Sequence, residues 1–158
     1  MPIPGVINLN DTTPAAPAGR VNVQWQGDSS NPRDVSANVA EGVGAISITI
    51  DGGGSIPTPG SKGFVQVPYA GVITGWTLIA DQAGSAQITV KKSTYGAFPT
   101  TVSIVASAPP AMTSAQKQTS TSVSTWTTAF SAGDIFEFDL DSVATCTWLA
   151  LELQATKS

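Results

Sequence analysis

The chain reads as an all-β protein: a two-sheet antiparallel sandwich, with a jelly roll as the favoured topology and an extended N-terminal arm. Three observations predict this. Apolar and polar residues alternate in run after run, most cleanly from Gly133 to Leu153, and a period of two gives a strand one buried and one wet face. Charged residues make up only 11% of the 158 positions, and Ser, Thr, Gly and Pro take their place, which suits strands and turns and disfavours long helices. Turn signals then cut the chain into seven or eight segments at the spacing of a sandwich.

Residues 1–34 stand apart. Pro2, Pro4, Pro14, Pro17 and Pro32 interrupt any regular ladder, because proline lacks the backbone donor. Between them Val21-Asn22-Val23-Gln24-Trp25-Gln26 alternates like a strand. We therefore divide the chain into a docking arm, 1–34, and a β-sandwich domain, 35–158. Leu9, Val21, Val23 and Trp25 are the candidate docking residues of the arm, which needs its own domain or a neighbouring subunit to lie against.

In the body, Ile46 to Ile50 alternates and stops at Asp51-Gly52-Gly53-Gly54. A strand from Gly63 to Val67 is closed by Pro68, and a longer one from Val72 to Asp81 holds Trp76. Gly75 inside it marks a bulge or a close approach. Ala83-Gly84 reads as a turn, after which Ala86, Ile88 and Val90 face inward and Gln87, Thr89 and Lys91 outward. A loop carries Tyr95, Gly96, Phe98 and Pro99, and residues 101–106 suit another strand before Pro109-Pro110. Ser114 to Lys117 has room for one helical turn. Val123, Trp126 and Phe130 are the inward anchors of a Ser/Thr-rich stretch. The runs Ile135–Asp141 and Trp148–Leu153 are expected to pair as a hairpin about Ser142-Val143-Ala144.

Catalytic chemistry is scarce. The chain has no histidine, which removes Ser-His and Cys-His nucleophile systems and histidine-based metal sites. Gly52-Gly53-Gly54 is not followed by the Gly-Lys-Ser/Thr of a phosphate loop. Asp134, Glu137, Asp139 and Asp141 crowd one strand and read as its solvated face; no Asp-x-Asp-x-Asp-Gly loop suits calcium, and a glycosidase needs two carboxylates facing across a cleft. Cys146 is the only cysteine. It is expected as a buried inert thiol in the final strand, on the face opposite Leu149 and Leu151. No catalytic residue, metal site or cofactor is assigned, and the chain is read as a non-enzyme.

Partners are bounded in the same way. Seven basic residues stand against 11 acidic ones, and Lys91-Lys92 alone cannot neutralise a phosphate backbone, so nucleic acid is not expected. No apolar run approaches the roughly 20 residues of a membrane span. The N-terminus lacks the basic-then-apolar pattern of a secretory signal, and cytosolic synthesis is expected. The aromatics are the better lead. Trp76 and Trp126 suit the core, while Tyr95, Phe98 and Trp148 are the candidates for ligand or subunit contact, since exposed rings stack on sugars and anchor interfaces.

One resemblance carries further. Ile7-Asn8-Leu9-Asn10-Asp11-Thr12-Thr13-Pro14-Ala15-Ala16-Pro17-Ala18-Gly19 followed by Asn22-Val23-Gln24-Trp25-Gln26 resembles a segment recurrent in minor structural and tail proteins of tailed bacteriophages. Thr74-Gly75-Trp76-Thr77-Leu78, Ala80-Asp81-Gln82-Ala83-Gly84-Ser85, Thr94-Tyr95-Gly96-Ala97-Phe98-Pro99, Trp126-Thr127-Thr128 and Ala132-Gly133-Asp134 continue it in order. In that family the segment often ends a larger fibre polypeptide, whereas here it opens on its own Met1. Val90-Lys91-Lys92 stands where the family is more acidic and aromatic. The resemblance implies a bacteriophage virion structural protein, made in the host cytoplasm and displayed on the particle as a capsid decoration or head-fibre type component. Its implied partners are other virion proteins, of capsid or tail, and further copies of itself, with a trimer favoured. The alternative is a tail-fibre module that recognises host surface glycans.

Overall fold

The computed structural model describes residues 42–158. The expected arm, with Leu9, Val21, Val23 and Trp25, lies outside the described residues. Within them the fold is all-β: β1 (Val43–Asp51), β2 (Gly60–Gln66), β3 (Gly71–Ser93), β4 (Val102–Ser103), β5 (Ala111–Ser120), β6 (Ala129–Phe130), β7 (Ile135–Ala144) and β8 (Trp148–Lys157). They form one curled antiparallel sheet in the order β1-β8-β3-β7-β2, with β4, β5 and β6 also paired to β3.

The 23 residues of β3 are the spine of this sheet. Its first half, Gly71–Ala80, pairs with β8, and its second half, Ser85–Ser93, pairs with β7. The opposite edge of β3 is taken by β5, from Trp76 to Gln87. β7 and β8 therefore follow one another along the same edge, both antiparallel to β3 and unpaired with each other. The expected hairpin does not form. Ser142-Val143-Ala144 offers none of the Gly, Asn or Asp that a tight reversing turn requires, and the chain instead steps forward through residues 145–147.

Bulges explain how one strand serves both halves. Between Ile73 and Gly75 the β3–β8 register slips, and the inward positions change from Gly71 and Ile73 to Trp76, Leu78 and Ala80. A one-residue slip moves side chains to the other face. Gly75 is also a close approach: a Cβ there would lie 2.8 Å from the Ser120 carbonyl oxygen. The larger irregularity in the β3–β5 pairing falls between Ile79 and Gly84. Here the expected turn at Ala83-Gly84 is instead a bulged part of a continuous strand. A Cβ on Gly84 would meet Ala144 O and Cys146 Sγ at 2.4 Å, so glycine lets the 145–147 step pack against β3.

Three further expectations change. Ser114–Lys117 is strand, part of β5, with Ser114 itself at φ 48° beside a register shift. Of residues 101–106 only Val102–Ser103 pair. Cys146 precedes β8 rather than lying in it, and it is fully buried on the side of Leu149 and Leu151. Positive φ at Thr145 breaks the alternation that sequence parity assumes.

The core is a single cluster. Phe136, Phe138 and Leu140 of β7, Leu149, Leu151 and Leu153 of β8, Ile46 and Ile50 of β1, and Leu78, Ile88 and Val90 of β3 fill the concave side of the curl. Burial of each such side chain contributes roughly 1.5–3 kcal/mol, an upper estimate given a partly compact unfolded chain. Trp76 and Trp126 join the core as expected, and the Trp126 indole donates to Ala108 O at 2.9 Å. Phe130 packs edge-on between Tyr69 and Phe136.

Candidate binding surface

The convex face of the β2–β7–β3 half is built by register. One row runs Phe64, Glu137, Lys91 and Ser103 across β2, β7, β3 and β4. In β2 the inward side chain is Val65, which packs against the core, and this parity sends Phe64 outward, 50% exposed.

The loop after β3 folds back onto this row. Thr94 O accepts the N–H groups of Ala97 and Phe98, at 3.2 and 3.1 Å, and Ala97 O accepts that of Thr100 at 3.0 Å. This local turn sets Phe98 edge-on against Phe64, with ring centroids 5.1 Å apart and an interplanar angle of 89°, the preferred geometry for two quadrupolar rings. Phe98 remains 41% exposed and Tyr95, at the tip, 74%. One expected contact residue, Phe98, thus pairs with Phe64 on the surface, and the other, Tyr95, is exposed three residues earlier in the same loop. Sequence parity could have found Phe64, because Lys62, Phe64 and Gln66 alternate with Val65 and Val67.

Beneath the loop the carboxylates of β7 are not a freely solvated face. Glu137 is only 8% exposed, and the Thr101 hydroxyl donates to its Oε2. Asp139 Oδ2 lies 2.6 Å from Lys91 Nζ. Asp141, the extra residue of a bulge opposite Gln87 and Ile88, accepts from Thr89 Oγ1 at 2.8 Å and Gln87 Nε2 at 3.1 Å. The Asp139 hydrogen bond holds the Lys91 ammonium above its ordinary pKa against the opposing effect of burial, and Glu137 and Asp141 reinforce it. On the neighbouring row Lys92 Nζ reaches Asp134 Oδ2 at 2.9 Å and Ala129 O at 3.0 Å. Burial by itself would raise the Asp134 carboxyl, but Lys92 and the Ser131 N–H outweigh it and hold the pKa below the ordinary value.

This pattern has chemical consequences. A carboxylate paired with an ammonium is favoured in its charged form, which makes it a poor general acid near neutral pH. Among the described residues no group of three or more His, Cys, Asp or Glu side chains could hold a metal ion. What the surface offers is the exposed Phe64–Phe98 pair, with Tyr95 exposed in the same loop.

Trp148 is elsewhere. It opens β8 opposite Asp51 of β1, half-buried, where Asp81 clasps the 145–147 step. Asp81 Oδ1 accepts the N–H groups of Thr147 and Trp148, at 3.0 and 3.2 Å, and Oδ2 accepts the Thr147 hydroxyl at 2.6 Å. The Thr147 hydrogen bond lowers the Asp81 carboxyl. Burial, reinforced by the Asp81 charge, pushes the Cys146 thiol up, so it is a protonated core residue, as its inert reading required. Trp148 therefore does not share a site with Tyr95 and Phe98.

No family model, curated protein or solved structure matches the chain. Among the described residues no helix is long and apolar enough to cross a membrane.

Proposed function

We propose that this chain is a structural protein of a tailed-bacteriophage virion, displayed on the particle surface as a capsid decoration or head-fibre type component and docking through residues 1–34. The observation that carries the reading is the exposed Phe64–Phe98 pair with Tyr95, on a strand face whose carboxylates are already satisfied. Such a surface favours association over turnover. The bacteriophage assignment rests on the ordered sequence segments from Ile7 onward. We take the curled sheet as a two-sheet sandwich of jelly-roll type, whose two halves share β3, and the assembled state as a trimer.

A second reading is favoured by one observation. Tyr95 and Phe98 are exposed in one loop that also carries Thr94 and Thr100, and rings next to hydrogen-bonding groups suit a sugar face. On this reading the protein is a tail-fibre module that recognises host surface glycans. Copy number in purified particles, by quantitative mass spectrometry, tests both. Hundreds of copies support the capsid role and a few to a few dozen the tail role; absence from particles overturns both. Deleting residues 1–26 is expected to leave the β-domain folded and abolish incorporation, and normal incorporation would contradict docking through the arm.

A further inference from the structure

Among the described residues β1 pairs with β8 alone, and its other edge is open. The phase of the ladder decides what that edge offers. Gly52 N–H donates to Thr147 O at 2.9 Å, and in an antiparallel ladder hydrogen-bonded pairs alternate with unbonded ones. Continued along the β1–β8 register, this turns the backbone groups of Ile50, Ile48 and Ile46 toward β8 and those of Thr49, Ser47 and Ala45 toward the open edge. The Tyr69 hydroxyl agrees with this phase, since it donates to Ala45 O at 3.1 Å from outside the β1–β8 pair.

The outer strands are not alike. β2 has a register shift between Ser61 and Gly63, with Lys62 at it. β5 has two shifts, with Ser114 at φ 48° beside them and Lys117 in the strand. Bulges and lysines are the devices by which sheets discourage strand addition. β1 runs through nine register pairs with no shift, proline or lysine, so it is the edge fit to accept a strand.

One segment of the chain matches that edge. Between the Tyr69 cap at Ala45 and the break at Gly52, β1 presents six residues, Ile46 to Asp51. Val21-Asn22-Val23-Gln24-Trp25-Gln26, outside the described residues, is also six residues long and holds no proline, so it keeps every backbone donor. Its parity fits as well, because opposed residues of neighbouring strands share a face. Val21, Val23 and Trp25 fall beside Ile46, Ile48 and Ile50 on the core side, where Ile48 is still half-buried, and Asn22 and Gln24 fall beside Ser47 and Thr49 on the outer side.

We propose that the open edge of β1 accepts residues 21–26 of a neighbouring copy as an added strand. Length points to the neighbour. Gly27 to Gly42 is 16 residues, against the roughly 2–5 that join paired strands within one chain. Extended, that connection reaches about 50 Å, beyond the breadth of roughly 35 Å expected for a domain of this size. The inference rests on the docking-arm reading above and names the arm's acceptor.

Cysteine pairing in the full chain tests it. Gln24→Cys combined with Ser47→Cys or with Thr49→Cys should form disulfides between copies on mild oxidation, seen as multimers on a non-reducing gel, since opposed strand residues lie within bridging distance. Whichever partner reacts gives the strand direction. Gln24→Cys with Ser61→Cys, on β2, should stay monomeric, and Cys146 is buried away from the reaction. No cross-link, or one formed only within a chain, overturns the proposal. Ser47→Pro removes a donor that faces the open edge and none that serves β8. It should weaken self-association in analytical ultracentrifugation by about tenfold or more, with the circular dichroism unchanged. Trp25→Ala, outside the β-domain, should weaken it too, and unchanged association in both variants overturns the added strand. Particle incorporation separates this proposal from the reading it rests on. Copies that cross-link at β1 yet incorporate without residues 1–26 keep strand addition and discard docking through the arm. A chain that does not cross-link but needs residues 1–26 for incorporation does the reverse.

Discussion

On the β2–β7 half of the sheet the outward carboxylates find partners inside the chain: Thr101 donates to Glu137, Thr89 and Gln87 donate to Asp141, and Lys91 pairs with Asp139. On the β1–β8 half, among the described residues, Glu152 and Lys117 take part in no ion pair, and the Thr77 hydroxyl instead bonds Thr119 and Gln154 on the neighbouring strands. The first face spends its polar groups on holding a loop in place and leaves aromatic rings exposed. The second spends its polar groups on cross-strand bonds about Thr77 and leaves Ile79 exposed. One shared core thus carries two differently built surfaces.

The largest effects should ignore the distinction between halves, because the core is one cluster. Phe138→Ala under the aromatic face and Leu151→Ala under the flat one should each cost about 2–5 kcal/mol. Denaturant unfolding followed by Trp fluorescence should show a single transition for both. Separate transitions would mean that the halves are independent.

Removing the polar supports should then separate them. Glu137→Ala leaves the Thr101 hydroxyl without its acceptor and should cost about 1–3 kcal/mol. It should also release the 94–101 loop, read as faster amide exchange at Ala97, Phe98 and Thr100. Asp134→Asn should cost a similar amount, roughly 1–3 kcal/mol, and alter the acid limb of stability. The folded Asp134 pKa lies below its ordinary 3.8, so its contribution is complete above that value and is lost as pH falls through the lower folded pKa. Urea midpoints from neutral pH down to strongly acid conditions should fall less steeply in Asp134→Asn. An unchanged acid limb would remove the ion pair from the account.

Smaller still is Lys91→Met. The Lys91–Asp139 pair is about one-quarter exposed on each side, and such pairs contribute about 0–1 kcal/mol. Its effect should shrink with added salt. Phe64→Ser removes the edge-on contact with Phe98 and should cost about 0.5–1.5 kcal/mol, and it should impair partner or glycan binding in a pull-down or array. A large loss of stability there would make the aromatic pair a packing feature.

Much of this architecture was legible in the residues. Period-two patterning located β1, β7, β8 and the second half of β3, and identified Trp76 and Trp126 as core. Gly75 marked a bulge. Parity fails where the backbone leaves the simple pleat, at Gly84 and Thr145, and the expected turn, hairpin and Cys146 position fail there with it. The satisfied carboxylates were invisible for a different reason: Thr101, Lys91 and Thr89 reach β7 only through long-range pairing. Tyr95 and Phe98 were visible as loop aromatics, but the pairing of Phe98 with Phe64 depends on how the loop folds.

The most direct test of the central claim is cryo-electron microscopy of intact particles from cells that produce this protein. The account predicts density for the β-domain repeated on the outside of the particle, with the Phe64, Tyr95 and Phe98 surface facing a contact or the medium. Particles with no such density on head, tail or fibres would contradict it.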